Sequence, residues 1–476
     1  MSFGRFMSKH SRIFVALAVL LAMPPVARAQ RTMALDEALS TAHRNNRDLR
    51  AAKARIDQAH AGVLTAWVAL LPVVTAQGKY THNYREVTLA LSQQLGPTLA
   101  LSRAVRPFVT DPMMAADLDR SIAGLNQALT QPDPIIQKGE QLDFVLSAAV
   151  PLIVPWAYPA LQAAHRTEEA GRANFAVSDA QVLYSTAQAY YACAGADELV
   201  EARKHALVVT QKALDNARAR LEAGVVNRVE VTRAELQLVR AQQALVETED
   251  IQAQSYRALG TIMNMHEPVR VVAAEAPLSG EAAVETLTAQ ALQLRPEFAA
   301  LERTVDSNRL TVTSNWLRWA PTLSAFGNVR AFNYAGFSGD KYAWAVGLEL
   351  DWTLYDGGIR DAQRKLAVAQ RDENEAKLDL LKDQVRDDVY NAERALTTRR
   401  RALETATRSV RLSKETLDLV QVQHDAGTAT QLDLLQAQDN LVAAEVALAQ
   451  ARFDLSLGGL SLERLSGSFP ANLKLN

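Results

Sequence analysis

The 476-residue sequence predicts a mainly α-helical chain with a membrane β-barrel portion, in which two internal repeats give four strands per chain and long coiled-coil helices. Three observations carry this reading. The sequence repeats itself in order over most of its length. Proline-poor stretches carry apolar residues at alternating spacings of three and four. Between them lie four short segments of period two.

The first 29 residues stand apart. Arg5, Lys9 and Arg12 precede an apolar run from 13 to 23 and the small-residue triplet Ala27, Arg28, Ala29. That order is the pattern of a cleaved secretory signal peptide. The run is about half of the roughly 20 residues a spanning helix requires. Cleavage after Ala29 leaves Gln30 first; the four basic residues lost, with no acidic one, take the formal net charge from −2 to −6. Such a balance argues against a nucleic-acid partner. The one cysteine, Cys193, cannot form an internal disulfide, and it lies too far from the cleavage site to carry an N-terminal lipid. No uncharged stretch of helix-spanning length follows residue 29, so passage through a membrane has to be made by strands.

The repeat comes next. A shift of 249 superposes residues 48–83 on 297–332, bringing Trp67 to Trp316, Pro72 to Pro321 and Gly78 to Gly327. A shift of 203 superposes 221–245 on 424–448, bringing Gly224 to Gly427 and Glu230 to Asp433. The expected organisation is a signal peptide over 1–29, a first repeat over 30–267, a linker over 268–286, a second repeat over 287–467 and a tail over 468–476.

In each repeat a helix of about 35 residues (36–71; 287–320) is expected before the strands. One of more than 60 (160–222; 359–424) follows them, and a third of about 36 (228–263; 431–465) returns after the glycine. At about 1.5 Å per residue these are roughly 50, 95 and 54 Å long, which suits a tunnel wall better than a compact core. The series Leu434, Ala437, Leu441, Ala444, Leu448, Ala451, Leu455 is a strict seven-residue repeat and implies left-handed supercoiling. Val231, Ala234, Leu238, Ala241 and Leu245 give the first-copy equivalent.

The strand segments alternate. In YAWAVGLELDWTLY, Tyr342, Trp344, Leu348, Leu350 and Trp352 share an apolar face, while Glu349 and Asp351 share the other. An apolar face with aromatics at both ends, backed by small or acidic residues, fits a strand between lipid and a wet lumen. In VVTAQGKYT, Thr75 and Lys79 take the lumen side. Residues 142–154 and 323–332 complete four strands. A membrane barrel needs about eight, so it has to be shared between chains. Two chains give a lumen filled by side chains, whereas three leave room for a pore.

Several motifs in this order resemble the TolC-like outer-membrane factor family, the outer membrane efflux proteins, along nearly the whole mature chain. They are the opening Ala38, Leu39, Asn45 and Leu49; Pro72 and Pro321 ahead of the first strand of each copy; LDWTLYDGGIR with Gly357 and Gly358; and the turns at Gly224 and Gly427. The resemblance implies a homotrimer in the bacterial outer membrane, with a twelve-stranded barrel in lipid and a twelve-helix tunnel in the periplasm. It also implies docking to a periplasmic adaptor, or membrane fusion, protein and to an inner-membrane transporter, for efflux or type I secretion. Two segments depart from the pattern. VPWAYPA, with Pro155 and Pro159, stands where the second copy has LYDGGIR. The connection 84–140 is far longer than a hairpin loop; it reads as a surface loop with a short helix over 113–129, or as an extracellular lid.

No catalytic, cofactor or metal motif emerges, and the Arg399, Arg400, Arg401 run reads as a solvated helix face. The site candidates lie at the helix reversals. Glu230 and Asp433 follow their glycines by six residues and stand three after Asn227 and Thr430, the spacing of a capping box. The resemblance implies that Asp433 lines a periplasmic constriction, with Gln436 where such channels often carry a second acid. Arg218, Arg220 and Arg228, with His424 three residues before Gly427, lie near the same reversals and are candidates for polar links holding it closed. The alternative reading is a soluble periplasmic coiled-coil scaffold or adaptor, which needs the helices but no lipid-facing strands.

Overall fold

The computed structural model describes residues 31–265, 267–272, 283–333 and 340–469. The expected signal peptide, much of the expected linker and most of the tail lie outside them. A short strand β1 (Arg31–Met33) leads into α1 (Leu35–Asn45) and α2 (Arg47–Val68), and these into β2 (Val73–His82). The long connection holds β3 (Val87–Thr88), α3 (Leu91–Val105), α4 (Pro112–Thr130) and β4 (Ile135–Gln137). Then follow β5 (Glu140–Ile153), α5 (Ala157–Glu222), α6 (Arg228–Ile262) and β6 (Val269–Val271). The second half runs α7 (Val284–Leu294), α8 (Pro296–Leu317), β7 (Thr322–Phe332), β8 (Tyr342–Asp351), α9 (Ile359–Asp425) and α10 (Gln431–Ser466).

The expected single helices of about 35 residues are each broken in two, and the cause is local. Asn46 is extended (φ −62°, ψ 137°), and its side-chain oxygen accepts from the amides of Asp48 at 2.7 Å and Leu49 at 3.3 Å. It therefore ends α1 and caps α2. Arg295 is likewise extended (φ −70°, ψ 122°) because Pro296 follows it. Proline disfavours a helical residue before it and is well placed at the first helical position.

The described residues divide into two compact units: those within 1–57, 170–302 and 376–476 form one, and those within 58–169 and 303–375 form the other. The first unit is helical apart from a parallel β1–β6 ladder. Tyr190 of α5 is fully buried beside that ladder, where its hydroxyl donates to the Val272 carbonyl at 2.7 Å and accepts from the Val272 amide at 3.1 Å. Cys193, one turn on, is also buried, and burial pushes its thiol up to about 12. The seven-residue seam of α10 is buried at Leu434, Ala437, Leu441, Ala444, Ala451 and Leu455, with Leu448 half-buried. On α6, Ala234 and Leu238 pack with Leu214 and Ala217 of α5. Arg399 departs from the solvated-face expectation: its side chain lies against Gly458, where an added Cβ would meet it at 2.8 Å.

The second unit holds a four-stranded antiparallel sheet of order β2-β5-β7-β8. Its two strand-to-helix junctions differ. After β5, Val154, Pro155 and Trp156 lead directly into α5, whereas β8 is followed by a longer turn through Gly357 (φ +72°) and Gly358 (φ +90°). Asp356 stabilises that turn by accepting from the amides of Gly358 and Arg360, each at 3.1 Å. Trp352, expected on strand β8, lies one residue past its end, with its indole N–H donating to the Trp319 carbonyl at 3.1 Å.

The 84–140 connection is more ordered than a loop with one helix. Besides α4 at the expected place it contains α3 and an antiparallel β3–β4 ladder. Arg106 makes a two-pronged ion pair to Asp119 at 2.5 and 2.6 Å.

Candidate functional site

The two helix reversals close by the same backbone device. At the end of α5, the Gly224 amide donates to the Leu221 carbonyl at 2.9 Å and the Val225 amide to the Arg220 carbonyl at 2.9 Å. At the end of α9, the Gly427 amide donates to the His424 carbonyl at 3.0 Å and the Thr428 amide to the Gln423 carbonyl at 2.8 Å. Both glycines are left-handed, φ +72° and +76°. A side chain there is strained, so glycine is required to satisfy the last carbonyls this way.

The acids on the returning helices are held unequally. Thr430 and Asp433 form a complete capping box. The Asp433 amide donates to Thr430 Oγ1 at 3.2 Å, and Asp433 Oδ2 accepts from the Thr430 amide at 2.9 Å and its hydroxyl at 2.7 Å. The Thr430 hydroxyl and amide hold the Asp433 carboxyl below the usual aspartate range. On α6 only half of the box forms: Asn227 Oδ1 accepts from the Glu230 amide at 3.3 Å. Asp433 is exposed and Glu230 half-buried.

The cross-helix link at this end is Arg220 with His424, whose ring is buried. The guanidinium donates to the imidazole, with Nδ1 at 3.3 Å, and Asp425 Oδ1 stands 3.7 Å from the same Nδ1. An imidazole nitrogen accepts such a bond only when it carries no proton. Of the three expected arginines, Arg220 makes this link, while Arg218 and Arg228 are exposed and take no part in it. Within one chain, among the described residues, neither acid pairs with the other or with Arg228. No spacing pattern chooses Arg220 over Arg218 and Arg228, because its partner is 204 positions away.

The sheet registers bring its polarity into rows. Val74, Ala148, Gly327 and Val346 lie across one row, and Ala76, Leu146, Val329 and Trp344 across the next. The same face carries Tyr342, Leu348 and Leu350, with Leu348 67% exposed. The other face pairs Thr75 with Ser147, Lys79 with Asp143, Ser324 with Glu349 and Thr322 with Asp351. There Arg330 grips Asp143 through both guanidinium prongs, one at 2.7 Å. On that face Phe326 fills the space over Gly347, where a Cβ would come within 2.9 Å of its ring. Among the described residues, each edge strand, β2 and β8, has one partner.

Long helices together with a four-stranded sheet that has one apolar face define the class, a mainly helical subunit with a strand portion, which is the fold of outer-membrane channels. The chain belongs to the outer membrane efflux protein family, whose model matches residues 138–265 and 287–468. It is similar to the outer membrane efflux protein BepC of Brucella suis, at 25% identity over 64% of this chain and 67% of that one. It is also 25% identical to the outer membrane protein TolC of Vibrio cholerae, over 65% of this chain and 72% of that protein. Among solved structures, the CmeC outer membrane channel of Campylobacter jejuni shares the fold. The TM-score is 0.70 and the identity 16%, covering 91% of this chain and 85% of that one. The protein is thus an outer-membrane efflux channel component of a family that is not an enzyme family. The soluble-scaffold alternative is not favoured.

Proposed function

We propose that three copies of this chain close one twelve-stranded barrel in the outer membrane, continued by a helical tunnel in the periplasm. Through it, substrates delivered by a periplasmic adaptor and an inner-membrane transporter pass outward without catalysis. The observation that carries this reading is the four-stranded sheet with one apolar face and both edges open. Open edges present unpaired backbone groups, which lipid cannot satisfy, so closure with other copies is the stable outcome. Eight strands from two copies give a bore filled by side chains; about twelve leave a pore.

On this reading Tyr342, Trp344, Leu348 and Leu350 face lipid, with Trp352 at the strand's end, while Thr75, Lys79, Glu349 and Asp351 face the bore. The repeats 30–267 and 287–467, with linker 268–286, are the two halves of each subunit. The near-equal helix lengths support this: 11, 22, 66 and 35 residues in the first half, and 11, 22, 67 and 36 in the second. Glu230 and Asp433 form acidic rings at the periplasmic end, and the Arg220–His424 link holds neighbouring helix tips together in the closed state. Type I secretion and small-molecule efflux place the same demands on such a conduit. Light scattering of the detergent-purified protein tests the proposal: a trimer mass supports it, and a monomer overturns it.

A further inference from the structure

We infer that the helical arm within 84–140 ends in an apolar tip that meets its two symmetry copies on the axis, so that three arms form a tripod over the outer mouth of the barrel. This rests on the three-copy reading above and adds a contact outside both barrel and tunnel.

The arm is a continuation of the sheet. Strands β2 and β5 join α2 and α5 at one end, and the arm leaves them at the other. There the pairing does not stop at His82 and Glu140. The Asn83 amide donates to the Gly139 carbonyl at 2.7 Å, β3 pairs with β4, the Leu89 amide donates to the Pro134 carbonyl at 2.9 Å, and the Leu91 amide donates to Asp133 Oδ1 at 3.0 Å. A ribbon bonded at so many points carries α3 and α4 as a lever fixed to the barrel wall. The two helices pack on each other, with Leu99 buried and Leu95, Leu118, Ile122 and Leu125 half-buried.

That packing leaves out the tip. Leu101, Phe108, Met113 and Met114 are exposed there, Phe108 by 83% and Met113 by 81%. An apolar cluster of this kind marks a contact surface. The charged residues around it are each engaged within the arm. Arg106 grips Asp119, Arg103 donates to Asn126 Oδ1 at 2.5 Å, and Asp111 accepts from the Met113 amide at 2.8 Å to cap α4. A tip suited to anionic lipid headgroups would keep its cations free. A neutral, apolar tip fits another copy of itself.

Length allows the tips to meet. Twelve strands about 4.8 Å apart and tilted by about 40° close a barrel of about 12 Å radius. With 15 and 19 residues, α3 and α4 are about 22 and 28 Å long at about 1.5 Å per residue. An arm that leans by about 30° therefore reaches from wall to axis. An apolar tip that arrives at a threefold axis meets two identical tips, and all three leave water together. Gaps remain between the legs, so ions and substrate still pass, and the tripod screens the mouth without sealing it.

The test is oxidation of the full-length Met113→Cys protein in detergent, read on a non-reducing gel with light scattering before and after. Cys193 is buried and does not compete. The tripod predicts a covalent dimer within a particle of unchanged trimer mass, because one cysteine at the axis joins two chains and leaves the third free. Gln93→Cys, exposed near the base of α3, should stay unlinked. A trimer mass with no covalent dimer, equal linking from Gln93→Cys, or a mass that doubles on oxidation overturns the tripod and leaves the barrel reading standing. A monomer mass for the wild type overturns both. Phe108→Asp added to Met113→Cys should abolish most of the linking by crowding three carboxylates, whereas Phe108→Leu should preserve it; the same result from both overturns the apolar contact. A polarity-sensitive fluorophore on the Met113→Cys protein that shifts to the blue on reconstitution into phosphatidylcholine vesicles, with no covalent dimer, makes lipid the occupant and also overturns the tripod.

Discussion

One substitution can separate the capping role of Asp433 from the constriction role proposed for it. Its carboxylate accepts from the amide and hydroxyl of Thr430, so part of its effect is local to the start of α10. Those bonds depress its pKa, so the stabilisation is fully present above the unfolded aspartate range. It is lost as pH falls through the lower folded value. Asp433→Ala should therefore lower the melting temperature at neutral pH, and the gap to wild type should close as pH drops below the ordinary aspartate range. If Asp433 also rings the constriction, the variant conducts more at rest and loses cation preference in single-channel records. An unchanged record with a lowered melting temperature leaves only the cap. Asn46 is the other residue with two duties, since its amide donates to the Ile262 carbonyl at 2.9 Å while its oxygen caps α2. Asn46→Ala should destabilise the first unit by about 1–3 kcal/mol, read by thermal or denaturant melts. The glycine and capping spacings were legible in the sequence because they act within six residues. Arg220 and His424 were both candidates there, but their pairing was not legible, because only the folded helices bring them together.

At the scale of elements, strand parity makes the sharpest prediction. Leu348 and Glu349 are neighbours on one strand, opposite Ala325 and Ser324, and so lie on opposite faces of the sheet. Leu348→Arg should impair membrane assembly by about 2–4 kcal/mol if the site lies near mid-bilayer, whereas Glu349→Arg should assemble and shift ion selectivity. Heat-resistant oligomer on gels reads the first effect and reversal potentials the second; equal damage from both would reverse or abolish the face assignment. Alternation of side chains made the strands readable, and proline-free heptads did the same for the long helices. The breaks at Asn46 and Arg295 escaped because apolar periodicity continues across them, although Arg295–Pro296 carried the signal. The helix α3 also escaped. Its Pro97 and Gly96 read as loop, yet packing against α4 and the Arg106–Asp119 pair accompany a helix there.

For the whole molecule, the chain's unfinished surfaces are its most informative ones. Strands β2 and β8 leave open edges, and on the proposed reading these are completed by the addition of identical copies around an axis. The open edges were legible in the sequence, since they follow from the strand count. How many copies close the ring was open from the strands alone, where two chains and three both gave a barrel. The most direct measurement is single-channel recording of the purified wild-type protein in planar bilayers, at a concentration where light scattering has fixed its mass. A three-chain channel predicts discrete, long-lived conductance steps from the trimer fraction. A trimer fraction that inserts without conductance, or steps that come only from another oligomer, would contradict it.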